Sequence, residues 1–111
     1  MLIYKIFRDD EFRHLIEQGQ TDGAPVDLAD GFVHFSNGDQ LRETAARHFK
    51  GEDNLQLLAL DAETLGDALK WEASRGGDLF PHRYRALRVE DVLWHKPLPL
   101  RAGTHDFTGL L

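Results

Sequence analysis

Asp30-Gly31-Phe32-Val33-His34-Phe35-Ser36 is the stretch whose reading decides the fold. Phe32, Val33 and Phe35 have the aromatic and β-branched character of a buried strand, and Asp30-Gly31 ahead of them is turn chemistry. Alternation along a strand puts Phe32, His34 and Ser36 on one face and Val33 and Phe35 on the other. Within this apolar run His34 is the residue that needs a reason. A buried imidazole must satisfy two ring nitrogens, and desolvation disfavours its charged form. Ser36 reads as the N-cap of a helix over residues 37–49. A polar strand end feeding a helix N-terminus suits an anionic or hydroxyl-rich ligand. The competing reading is a hydrogen-bonded structural histidine.

Working towards the N-terminus, residues 20–30 hold Gly23, Pro25 and three aspartates without a clear period, which reads as a surface loop able to lie over a pocket. Before it, Asp9-Asp10-Glu11 supplies a cap and acidic first turn for a helix near 9–18. Phe12, Leu15 and Ile16 form its buried stripe and Gly19 its stop. Residues 2–7 read as a central strand, apolar on both faces.

Towards the C-terminus, the helix after Ser36 ends at Gly51 and is followed by a leucine-rich strand near 55–60. Asp61 caps a short turn closed by Gly66. A strand follows near 68–72, with Lys70 and Glu72 facing opposite to Leu69 and Trp71. Arg75-Gly76-Gly77-Asp78 forms a turn tip without dinucleotide-fingerprint spacing. Pro81 biases Phe80 to an extended conformation, which places His82 and Tyr84 on one face. A last strand near 91–97 ends in Pro97 and Pro99, which suits an edge. Residues 101–111 read as a loosely held tail, leaving one α+β domain over 1–100.

The totals bound the function. A chain of 111 residues with 41% hydrophobic content forms one domain with a real core. Without cysteine it has no disulfide and no thiolate metal site, which fits a reducing, cytoplasmic setting. No apolar run reaches membrane-span length and no secretory signal pattern opens the chain. A net charge of −6 argues against general nucleic-acid binding.

Three polar elements interrupt apolar sequence: His34 with Ser36, Glu72 at a strand end, and His82 with Tyr84. Strands of one sheet would bring them to one cleft. A histidine and a carboxylate there can do acid–base work, and a carboxylate can stabilise a sugar oxocarbenium ion. Tyr84 or Phe80 can stack on a flat ring, and Arg75 can clamp a phosphate. The bland alternatives are a solvated Glu72 at an ordinary strand end and a core-edge Tyr84. His34, Glu72 and His82 are zinc ligands by type but lack metal-site spacing, so no metal is expected. No serine-nucleophile elbow is present.

Leu2-Ile3-Tyr4-Lys5-Ile6, the Asp30–Ser36 stretch with Gln40, Trp71-Glu72, and Phe80-Pro81-His82-Arg83-Tyr84 together closely resemble a family of small bacterial proteins, domain of unknown function 952, over the chain to about Leu100. The resemblance implies a small split-sheet α+β fold like that of the ADP-ribosyltransferases. His34 and Ser36 match the H-x-[ST] pattern of those enzymes, in which the histidine holds a ribose hydroxyl of NAD. The resemblance further implies Glu72 as the acid that stabilises the oxocarbenium ion, and Tyr84 or Phe80 as the aromatic against nicotinamide. The related RNA 2′-phosphotransferases use an arginine-rich set that this acidic chain lacks. The expectations are therefore an NAD- or nucleotide-related glycosyl transfer or cleavage centred on His34, with His34 and Glu72 catalytic and Ser36, Arg75, Phe80, His82 and Tyr84 binding. The alternatives are a non-catalytic nucleotide-binding or protein-interaction module, or a hydrolase using His34, Glu72 and His82.

Overall fold

The computed structural model describes all 111 residues, the side chain of Arg75 excepted. In chain order the elements are β1 (Leu2–Arg8), α1 (Asp9–Gln18), β2 (Gln20–Thr21), α2 (Pro25–Asp30), β3 (Val33–His34), β4 (Ser36–Asn37), α3 (Leu41–His48), β5 (Leu55–Asp61), α4 (Ala62–Leu65), β6 (Leu69–Ala73), β7 (Leu79–Arg83), β8 (Leu87–Arg88), β9 (Val92–Leu98), β10 (Leu100–Arg101) and β11 (Thr104–His105). The result is a small mixed domain of several antiparallel sheets and few helices.

The main sheet has the order β4-β1-β5-β9. β1 and β5 pair along their whole length, from Leu2 opposite Asp61 to Arg8 opposite Leu55. Both strands read as continuous apolar runs because both of their faces are covered. Ile3, Phe7, Leu58 and Leu60 point to one side, where they pack with Leu15, Val33, Phe35 and Leu87. Tyr4, Ile6, Leu57 and Ala59 point to the other, where Leu41 and Ala45 of α3 cover them. β9, with Pro97, forms an edge, the position a strand proline tolerates. At the opposite edge β4 pairs only with Ile3 and Tyr4, so among the described residues no strand pairs with β1 on that side from Lys5 onward.

A second sheet, of order β3-β7-β6, carries the polar residues. His34 lies opposite His82, and His82 opposite Lys70. Side chains two residues apart on a strand share a face. His34, Lys70, Glu72, Phe80, His82 and Tyr84 therefore belong to one side of this sheet, while Val33, Arg83 and Leu69 belong to the other. A further short pair joins Gln20 of β2 to Arg88 of β8.

Several expectations need correction. Residues 20–30 are not one loop: Pro25 at the first helical position and Gly31 in the left-handed conformation (φ 81°) bound the helix α2. The strand expected over 31–35 is shorter, because Gly31 ends that helix and Ser36 crosses to the main sheet. Ser36 does not cap a helix. α3 begins four residues later than expected at Leu41, after an Asn37–Gln40 turn in which each side chain accepts from the other's backbone N–H. α1 is capped from Arg8, whose N–H donates to Glu11, and its Ile16 is half exposed rather than part of the buried stripe. Residues 101–111 are not loose: His105 bonds the Glu52 carbonyl and Phe107 is buried in the second core.

Candidate functional site

A cleft of about 700 Å³ opens along the stretch of β1 that β4 leaves uncovered, and Lys5, Ile6 and Arg8 line it. The second sheet faces it with His34, Phe80 and His82, and Ser36 and Thr44 line it from the side of α3. Apolar residues form most of the rest, including Pro25, Val26, Leu41 and Phe49. A largely apolar hollow with a few polar groups directed by rigid strands is the usual form of a small-molecule site.

His34 is held from two sides. Its Nδ1 lies 2.6 Å from Asp27 Oδ1, and its Nε2 lies 2.9 Å from Oδ2 of the half-exposed Asp30. Its backbone N–H also donates to Asp27 Oδ1 at 2.9 Å. Asp27 is fully buried, and its other oxygen accepts from Lys5 Nζ at 2.8 Å and from the Ala24 N–H at 2.7 Å. Burial opposes ionisation of Asp27, but the hydrogen bonds from His34 and the Lys5 ammonium outweigh it and bring the carboxyl down to about 2. Burial is also the larger influence on Lys5 and pushes its ammonium below the ordinary lysine value, against the pull of Asp27.

His82 sits deeper, at 4% exposure. Its Nδ1 lies 2.9 Å from Glu72 Oε1, and the same oxygen accepts from Tyr84 Oη at 2.6 Å. The Tyr84 hydrogen bond, followed by that of His82, holds the Glu72 carboxyl below its usual range, and Glu72 in turn raises the Tyr84 phenol. His82 Nε2 is buried without a hydrogen-bond partner among the described residues. Phe32 ties the two groups together: its ring stacks on His82 at 4.3 Å and lies 4.6 Å from His34 and 5.1 Å from Tyr84. The two imidazoles are 5.2 Å apart in an edge-to-face arrangement.

The structure brings His34, Ser36, Phe80 and His82 to the cleft. Glu72 lies behind His82 on the same sheet face and joins the group through that histidine. Tyr84 is 44% exposed and lines a separate hollow of about 260 Å³ instead. Ser36 Oγ is 2.8 Å from Thr44 Oγ1, a bond that ties β4 to α3. The Arg75 side chain lies outside the described residues, although its neighbour Ser74 lines the cleft. No three histidine or carboxylate groups converge in a metal-binding arrangement among the described residues. No helix among them is long and apolar enough to cross a membrane.

Sequence reasoning missed Asp27, Lys5, Asp30 and the packing role of Phe32. One signal was present: a lysine on the face shared by Ile3 and Phe7 cannot be buried without an acidic partner. Its spacing to that partner, 22 residues, carries no local pattern.

A search of curated proteins finds no match. Among solved structures, the crystal structure of protein CC0527 from Caulobacter crescentus is 51% identical over 98% of this chain and 96% of its own, with a TM-score of 0.94. The solution NMR structure of CC0527 is 51% identical over 99% and 96%, with a TM-score of 0.88. The family model described as a protein of unknown function, DUF952, matches residues 6–95. That span holds every residue of the cluster around His34 except Lys5, and on it this chain belongs to the DUF952 family.

Proposed function

We propose that the cleft beside His34 binds a nucleotide-type small molecule, with the NAD class as its first candidate. The observation that carries this reading is the state of His34. Its Nδ1 is engaged by a buried carboxylate, while Nε2 meets only the half-exposed Asp30, at the wall of a hollow large enough for such a ligand. A ribose hydroxyl is a fitting partner for Nε2. Phe80 and the His82 ring, which Phe32 braces from the side of the other hollow, supply flat surface for a planar ring. The ADP-ribosyltransferase-like resemblance of the His34-x-Ser36 motif supports the same ligand class.

A second reading adds chemistry: N-glycosidic cleavage or ADP-ribosyl transfer, with Glu72 steadying the oxocarbenium ion. What favours it is that Glu72 is held as a carboxylate by Tyr84 and His82 on the face that carries His34. What weighs against it is that Glu72 stands behind His82 rather than on the cleft wall. Calorimetric titration with NAD, ADP-ribose and nicotinamide riboside tests the binding reading, which fails if none of them binds. Release of nicotinamide from bound NAD, lost in Glu72→Gln, would establish the second reading. Binding without turnover leaves a binding module.

A further inference from the structure

Lys5 and Asp27 have no part of their own in that binding role, yet both are buried charges beside the cleft. Four donors converge on Asp27: Lys5 Nζ and the Ala24 N–H on Oδ2, the His34 N–H and the ring Nδ1 on Oδ1. They come from the main sheet, from the start of α2 and from the second sheet, so one carboxylate fixes three elements against each other. Gly23 leaves room for it, since a Cβ there would lie 2.2 Å from Asp27 Oδ2. An ionised carboxylate has no proton to give, so Nδ1 must be the donor in the 2.6 Å contact. Asp30 Oδ2, 2.9 Å from Nε2, likewise only accepts, so with both contacts made the ring carries both protons. When the ring gives one up, the half-exposed Asp30 can turn to water and the fully buried Asp27 cannot, so the proton stays on Nδ1 and Nε2 is left bare, the reverse of the arrangement an unconstrained histidine favours in water.

We infer that Asp27, with Lys5 as its counter-charge, is a positioning residue that locks His34 in the Nδ1–H tautomer and presents Nε2 as the acceptor for a ligand hydroxyl. Lys5 matters because it neutralises Asp27 directly, so that buried carboxylate does not require the imidazole as a cation. The groups facing that ring are Asp27 and Asp30 from α2 and His82 from β7, with Lys5 acting through Asp27. The inference deepens the proposed binding role of His34, but it is tested without any ligand, so either can fail while the other stands.

The test is long-range proton–nitrogen NMR of the imidazoles in the ¹⁵N-labelled full chain, at a pH where His34 is neutral, with its signals assigned by their loss in His34→Gln. The wild type should show the Nδ1–H form. In Asp27→Asn the side chain has only one oxygen. The Lys5 ammonium claims it, which turns the amide NH₂ towards Nδ1 and forces that nitrogen to accept. The Nε2–H form should then dominate, the kind of tautomer error seen when a histidine-orienting aspartate becomes asparagine. If Asp27→Asn does not fold, Asp30→Asn serves instead: the buried Asp27 still holds Nδ1–H, so the tautomer should stay as in the wild type. An Nε2–H wild type, an unchanged tautomer in Asp27→Asn, or a switch to Nε2–H in Asp30→Asn would each overturn the inference.

Discussion

β5 buries Leu57, Leu58, Ala59 and Leu60 completely and needs only apolar neighbours on its two faces. β7, also a central strand, buries Phe80, His82 and Arg83 almost as deeply, and its polar atoms are matched only in part: His82 Nε2 and Arg83 Nε and Nη2 have no hydrogen-bond partner among the described residues. The difference is one of direction. Burial of leucine gains in proportion to area and tolerates repacking. Burial of imidazole, guanidinium or carboxylate stabilises nothing unless a partner stands within hydrogen-bond reach at the right angle. Arg83 meets Asp91 at 2.6 Å through one nitrogen, His82 meets Glu72, and Asp27 gathers four donors. The main sheet is a scaffold that many sequences can fill. The second sheet, with the helix α2 against it, is a set of specific pairings, as expected where a protein positions groups for a ligand.

The strongest way to break this comparison is Asp27→Ala. It leaves the Lys5 ammonium buried without its carboxylate, so stability in chemical denaturation should fall by about 4 kcal/mol, as for other buried pairs broken on one side. Leu57→Ala should cost about 3 kcal/mol, the transfer and cavity loss of a fully buried leucine. If Asp27→Ala costs much less than Leu57→Ala, the polar tie between the sheets is dispensable and the contrast fails.

Acid titration sharpens the same point. Asp27 titrates at about 2 in the folded chain and near the ordinary carboxylate value when unfolded. Between those values the unfolded state binds the extra proton, so stability rises with pH there. The contribution, about 2 kcal/mol, is complete above roughly pH 4 and is lost as pH falls towards 2. Asp27→Asn should remove that part of the acid slope, and an identical slope in the variant would place the acid sensitivity elsewhere. The smallest effect is expected at the rim. Tyr84 is 44% exposed and its hydroxyl bond to Glu72 is open to water, so Tyr84→Phe should leave the melting temperature unchanged within error although that bond is lost. A clear fall would make the rim part of the scaffold.

The two sheets were also unequally legible in the sequence. β1 and β5 are unbroken apolar runs, and α1 is bounded by acidic residues and Gly19, so hydrophobic pattern and turn chemistry suffice for them. The second sheet was legible as polar residues in apolar surroundings: His34, Glu72, His82 and Tyr84 do share one face. What could not be read was which atoms they bond, because Lys5, Asp27 and His34 come from three separate stretches and meet only through tertiary packing. α2 was missed because a six-residue helix carries too little periodicity to stand out among aspartates. Ser36 was misplaced because an N-cap preference is local, whereas its pairing opposite Tyr4 in the main sheet is not.

The most direct test of the central claim, that His34 serves a ligand in this cleft, is calorimetric titration of NAD into the wild type and into His34→Ala. The account expects saturable binding to the wild type. It expects affinity to fall about tenfold or more in the variant, the loss of roughly one strong hydrogen bond. Equal affinity in the two proteins would contradict it and leave His34 as a structural histidine.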